Sequence, residues 1–237
     1  MNSTQPMPLP VYDHRPGAGP TLVFLHYWGG SARTWDLVVD RLPGRDVLTV
    51  DFRGWSRSSG LPGPYTLGQF ADDTLSVLGD AGVTDHVLVG HSMGGKVAQL
   101  VAATRPAGLR GIVLVGSGPA KPSAQITPEY QEALSHAYDS DESVAGARDH
   151  ILTATRLPAT IKARVAVDSR AGTDAGRTSG RCTASRRTSP STPAWSAFPP
   201  SSSPGRTIRS SPPTCSAPTF CPTCPRQSSR SFCPPVT

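Results

Sequence analysis

Along the first half of the chain, short apolar runs alternate with amphipathic segments. Thr21 to Leu25 is a β-rich apolar run, with Gly19-Pro20 before it and Gly29-Gly30 after it. Asp46 to Val50, His86 to Val89 and Leu109 to Val115 have the same character, and Val11-Tyr12 belongs to an edge strand. Between these runs the apolar residues recur at helical spacing. Ser31 caps a helix over Ala32 to Arg41, whose face carries Trp35, Leu37, Val38 and Leu42. Thr66 begins a helix through about Gly79, with Phe70, Thr74, Leu75 and Leu78 inward. A third helix follows from Gly94 to Thr104, after the run at His86 to Val89, which is expected to be the central strand. Strands alternating with helices predict a parallel sheet joined by right-handed crossovers. Such strands are buried on both faces, so their runs are continuous and do not alternate. From Pro119 to about Asp168 the pattern changes to helix formers, concentrated in Glu129 to Tyr138 and Ser143 to Thr155.

Composition divides the chain again. Residues 175–237 contain no Asp, Glu, His or Lys, against 8 Arg, 12 Pro and 14 Ser, and they hold all five cysteines. That stretch carries +8 of a net charge of +6, which leaves −2 on the residues before it. The basic balance therefore belongs to the tail and is no argument for a nucleic-acid partner. No apolar stretch reaches 18 residues and no apolar run follows a basic start, so the expectation is a cytoplasmic protein without a membrane partner.

The chemistry is concentrated in Val87 to Ala98. The apolar run ends in Gly90-His91-Ser92-Met93-Gly94, a G-x-S-x-G turn between a strand and a helix. A serine on so sharp a turn has a strained backbone, and the residues two before and two after it approach so closely that only glycine fits. The helix N-terminus behind the serine favours negative charge developing nearby. Together with Phe24-Leu25-His26-Tyr27-Trp28-Gly29-Gly30-Ser31 and Asp51-Phe52-Arg53-Gly54-Trp55-Ser56, this turn resembles the α/β-hydrolase fold family, nearest to its small esterase and cofactor-free haloperoxidase-like branch. The resemblance covers about Leu9 to Ser117. It implies an α/β fold, a mostly parallel sheet flanked by helices, and a helical lid where Pro119 to Asp168 stands.

The resemblance also implies roles. Ser92 would be the nucleophile. Acyl transfer places negative charge on a carbonyl oxygen, and two preorganised backbone N–H groups typically stabilise it by a few kcal/mol. One would come from Met93 and the other from Trp28, with Tyr27 the near alternative. Tyr27 replaces the family's usual glycine in His-Gly-x-Gly. His26 and His91 read as structural, with His91 pointing away from the nucleophile, and Asp51 and Arg53 as residues that pin loops together. Cys221-Pro-Thr-Cys224 has redox or zinc spacing but no second ligand pair, so no metal site and no cofactor are expected.

The family completes its triad in the order Ser, Asp or Glu, then His. After Asp174 neither residue type occurs, and His136 and His150 lie in the lid-like segment, too early to serve. The tail's Pro/Ser/Arg/Thr/Cys mix is what GC-rich coding DNA yields out of frame. When the third base of each codon is joined to the first two of the next, Ser201 to Thr219 permits L-V-V-A-G-E-D-D-P-V-E-P-P-D-V-L-R-A-H. That is an apolar strand followed by an acidic turn. Ser228 to Thr237 permits V-V-T-V-L-L-P-A-G-H, a strand ending in Gly-His. A frameshift near residues 170–178 is therefore expected, the other reading being a disordered Pro/Ser/Arg tail. The expected organisation is a hydrolase core over 1–118, a helical lid-like segment over 119–170 and a low-complexity tail over 171–237, with the sheet incomplete on its C-terminal side. The function implied is a serine hydrolase for a small ester or related acyl substrate, crippled by loss of the triad acid and histidine. An inactive truncated relic and a haloperoxidase-like perhydrolase using the same site remain open.

Overall fold

The computed structural model describes residues 7–121, 134 and 136–177. The chain divides into two compact units, Met1–Pro190 and Ser191–Thr237, and every described residue belongs to the first. The tail beyond residue 177, with its cysteines, and most of the helix expected over Glu129 to Tyr138 lie outside the described residues.

Among the described residues five strands form one sheet: β1 (Tyr12–Arg15), β2 (Ala18–Leu25), β3 (Arg45–Val50), β4 (His86–His91) and β5 (Leu109–Val115), in the order β1-β3-β2-β4-β5. Only β1 runs antiparallel, against β3; the other three pairings are parallel. The expected edge strand at Val11-Tyr12 is β1. The strand expected to be central, β4, is second from the edge among the described residues, and β2 holds the middle.

Between the described strands run one short helix and two longer ones. The segment after Ser31 does not continue as one helix to Arg41. Ser31 and Thr34 form a capping box on a 3-10 turn over Ala32–Trp35, and only one α-helical turn follows, α1 (Asp36–Val39). With so little helix, Leu37 and Val38 stay exposed and do not join the core. α2 (Leu67–Asp80) starts where Thr66 caps it, its hydroxyl accepting the Gln69 N–H at 3.1 Å. It buries Phe70, Thr74 and Leu78 as the spacing predicts, and Val77 besides. α3 (Met93–Ala103) follows β4 directly.

Side-chain alternation along the strands separates two apolar clusters. Val23, Leu25, Leu48, Val50 and Leu88 face α2 and α3, joined by Phe52 and Trp55. Phe24, Val47 and Val89 face the other way, onto Trp35. β5 is different. Ile112, Val113, Leu114 and Val115 are 36%, 47%, 44% and 41% exposed, so the last strand of the described sheet is an open apolar edge.

Beyond the gap, Ser140 caps α4 (Asp141–Ala147), which widens into a single π-type turn over Arg148–Leu152, so the helix expected over Ser143 to Thr155 stops short. A further helix, α5 (Ala159–Arg170), runs to the end of the lid-like segment. Residues 171–177 pack back on the core, where the Thr173 N–H donates to the Gly54 carbonyl at 2.9 Å. Among the described residues no helix is long and apolar enough to cross a membrane.

Candidate active site

The parallel pairing of β2 with β4 sets Leu25 beside Gly90. The chain leaving β2 and the chain leaving β4 therefore turn side by side at the C-terminal edge of the sheet, where open parallel sheets place their ligands. Between β4 and α3 the reversal is so tight that Ser92 adopts φ 49° and ψ −109°. A non-glycine residue held there stores of order 1–3 kcal/mol of strain, which the surroundings must offset. They do so from several sides. The Ser92 N–H donates to the Val115 carbonyl at 2.9 Å, and the Ser117 hydroxyl donates to the Ser92 carbonyl at 3.0 Å. The flanking glycines are required by space. A Cβ on Gly90 would run into the Gly94 carbonyl oxygen, and one on Gly94 into the Leu25 carbonyl oxygen. The Ser92 hydroxyl has no hydrogen-bond partner among the described residues.

The loop after β2 is held rigidly. The ring of His26 is wholly buried; its Nε2 accepts the Phe52 N–H at 3.0 Å, which leaves the proton on Nδ1 for the Tyr27 carbonyl at 2.7 Å. Burial pulls the His26 pKa down from 6.5 to about 4, so the ring is neutral. The Tyr27 carbonyl also accepts the Gly30 N–H at 3.0 Å. In a trans peptide the N–H opposes the C=O, so fixing the Tyr27 carbonyl fixes the Trp28 N–H in the opposite direction. Neither the Trp28 N–H nor the Met93 N–H, at the first position of α3, donates to any described residue.

The lid-like segment clamps the same loop. The Tyr138 hydroxyl donates to the Trp28 carbonyl at 2.7 Å, and its ring lies 4.4 Å from the Trp28 ring. From α5, the Ser169 hydroxyl donates to the Gly29 carbonyl at 2.9 Å, and Asp168 accepts from Ser31 Oγ at 2.8 Å and pairs with Arg33. Gly29 has φ +89°, and any side chain there would strike the Tyr138 ring.

Ser92, Met93, Trp28 and Tyr27 line one cavity of about 700 Å³, whose far walls are apolar residues of the lid-like segment, among them Leu134, Ile151, Ile161 and Val165. His91 lines it as well. Its ring lies against Tyr27 and Trp35, with centroids 5.1 Å and 6.4 Å away, and no hydrogen bond joins it to Ser92 among the described residues. Asp51 and Arg53 pin loops as expected. Asp51 accepts the Ala32 N–H at 2.6 Å and Arg57 Nε at 2.5 Å, while buried Arg53 holds Asp73 through two bonds of 2.8 Å. His136 pairs with Asp139 on the surface, and neither it nor His150 reaches the cavity. Sequence reasoning missed Arg33, Lys96, Tyr138 and Asp168. Only Lys96 was signalled, by standing one helical turn after Ser92.

The comparisons agree with this geometry. The family pattern described as the alpha/beta hydrolase fold matches residues 20–197. The 2-succinyl-6-hydroxy-2,4-cyclohexadiene-1-carboxylate synthase of Salmonella paratyphi C is 34% identical over 122 residues, covering 49% of this chain and 46% of that protein. The pimeloyl-[acyl-carrier protein] methyl ester esterase of Pseudoalteromonas atlantica is 33% identical over 105 residues, 44% of this chain and 39% of the other. The chain thus matches less than half the length of either relative. An esterase from Exiguobacterium antarcticum superposes with a TM-score of 0.65 at 21% identity, over 73% of this chain and 68% of its own. A strained serine between strand and helix, a five-stranded mostly parallel sheet and a match over three-quarters of the sequence lead to one assignment: the chain belongs to the α/β-hydrolase fold family.

Proposed function

We propose that the chain is a serine hydrolase for a small ester or related acyl substrate, with Ser92 as nucleophile at a nucleophile elbow. The observation that carries the reading is the strained Ser92, whose free hydroxyl opens on an apolar-walled cavity beside two undonated N–H groups. In this reading Ser92 Oγ attacks the carbonyl carbon of the substrate. The oxygen that becomes negative is met by the Trp28 and Met93 N–H groups, which are fixed before the reaction begins. Collapse of the intermediate expels the alcohol and leaves an acyl-serine, which water hydrolyses.

In this reading the chain lacks the proton acceptor. No Asp, Glu or His follows Asp174, so the serine proton passes to solvent and attack is slow. The frameshift reading accounts for that loss, and the open apolar edge of β5 is where further strands of a complete sheet would pair. The test is turnover of a short p-nitrophenyl ester by the full chain. Slow hydrolysis that disappears in Ser92→Ala supports the reading, whereas hydrolysis unchanged by that substitution refutes it. The same absence of a base favours a second reading, in which the cavity binds acyl compounds without turning them over. Binding to folded protein with no Ser92-dependent turnover would select it.

A further inference from the structure

Four cationic side chains line the cavity: Arg33, Lys96, Arg148 and Arg164. Three have carboxylate partners, although Arg148 shares its Asp149 with Lys162. Arg33 pairs with Asp168, Arg148 with Asp149 at 2.7 Å, and Arg164 with Asp36 at 2.8 Å. The Lys96 ammonium has neither an ion pair nor a hydrogen bond among the described residues. It is half-buried, and burial, with no opposing charge to offset it, lowers the pKa of its ammonium. An ammonium in that position is a cost to the fold that a methionine or glutamine would not incur. Its place is also fixed. The Lys96 N–H donates to the Ser92 carbonyl at 3.2 Å, so the two residues are one turn apart and both line the cavity.

From this juxtaposition we infer that Lys96 is an anion subsite and that the acyl substrate carries a free carboxylate. The inference rests on the acyl-substrate reading of the cavity and narrows it. Ser92 and Lys96 line the same cavity from the start of α3, so one short substrate can present its carbonyl to the first and a carboxylate a few carbons away to the second. The chemical class is the hemiester of a short dicarboxylic acid. The apolar lid-like wall accepts the hydrocarbon between the two ends, and among the described residues that line the cavity Lys96 is the cation without a carboxylate partner. Desolvation in the half-closed cavity strengthens that pair relative to one on the open surface.

The test uses the full chain carrying Ser92→Ala, so that nothing is hydrolysed, and ligand-observed NMR titration with monomethyl glutarate and dimethyl glutarate. The hemiester should bind at least about tenfold tighter than the diester, a difference of about 1.4 kcal/mol. Adding Lys96→Met or Lys96→Gln should erase the difference while leaving the diester's Kd unchanged, and Lys96→Arg should restore it. The melting temperature of the methionine and glutamine variants should stay level or rise, since each removes an unpaired cation. A hemiester preference that survives both neutral substitutions overturns the inference, as does a hemiester that binds no tighter than the diester. Failure of both esters to bind folded protein refutes the acyl-substrate reading itself, and the subsite with it.

Discussion

The hydroxyl of Tyr138 donates to the carbonyl of Trp28 at 2.7 Å, across 110 residues of sequence. This bond ties the lid-like segment to the peptide that follows the Trp28 N–H, and Ser169 repeats the device one residue later at Gly29. The loop proposed to stabilise the oxyanion is thus set by its own neighbours on one side and by the lid on the other. Tyr138→Phe keeps the ring against Trp28 and leaves a buried carbonyl short of a donor. It should cost about 1–2 kcal/mol of stability in chemical denaturation and slow phosphonylation of Ser92 severalfold. Ser169→Ala should behave alike. Full stability and an unchanged labelling rate in both variants would show that the clamp does not act on the loop.

The strain at Ser92 makes a prediction that needs no catalysis. At φ 49° alanine keeps the Cβ and its clash, whereas glycine is free of both. Ser92→Gly should therefore be more stable than Ser92→Ala by about 1 kcal/mol or more, in reverse of the order in a helix interior. Equal stability, or a more stable alanine variant, would mean that the backbone there is relaxed.

Acid should unfold the protein through its buried histidines. His26 titrates near 4 in the folded state against 6.5 when unfolded, so between those values the unfolded chain binds more protons. Stability is then full above about pH 6.5 and falls as the pH drops toward 4, with His26 alone contributing about 3 kcal/mol over that window. Burial lowers the pKa of His86 and His91 as well, so they act in the same direction. His26→Gln should flatten the fall between pH 6.5 and 4 in urea denaturation followed against pH. A slope unchanged by the substitution would show that His26 does not carry it.

Much of this architecture is legible in the sequence, and the exceptions have physical causes. Leu109 to Val115 and the Ser92 turn are written in local chemistry: a continuous apolar run, and glycines where no Cβ fits. The helix after Ser31 was over-extended because Leu37 and Val38 fit a helical face, while the Ser31–Thr34 capping box commits the chain to a tight 3-10 turn first. Ser169, Asp168 and Tyr138 could not be foreseen at the loop after β2, since their partners lie more than a hundred residues away and no local pattern encodes such a contact. Lys96 was legible by position, but that it lacks a partner is a property of the assembled cavity.

The β5 edge bears on the frameshift. Ile112 through Val115 are exposed along the last strand of the described sheet, an arrangement that invites pairing between molecules. Restoring the alternative frame upstream of Gly180 should supply strands to cover that edge, an acid after the first and a histidine after the second. The soluble yield should rise, and Ser92-dependent hydrolysis of a short p-nitrophenyl ester should increase by orders of magnitude. A soluble repaired chain without that turnover would contradict the hydrolase reading, and a repaired chain no more soluble than the present one would contradict the frameshift.

The most direct test of the central claim is the mass of the intact full chain after incubation with a fluorophosphonate, followed by mapping of the adduct. Phosphonylation asks for the same nucleophile and the same two N–H groups as ester hydrolysis, but not for the later steps. A single adduct should appear on Ser92, slowly on the proposal that no histidine takes its proton, and should be absent from Ser92→Ala. An adduct elsewhere in the chain, equal labelling of the alanine variant, or folded protein that stays unlabelled on prolonged incubation would contradict the assignment of Ser92 as the nucleophile.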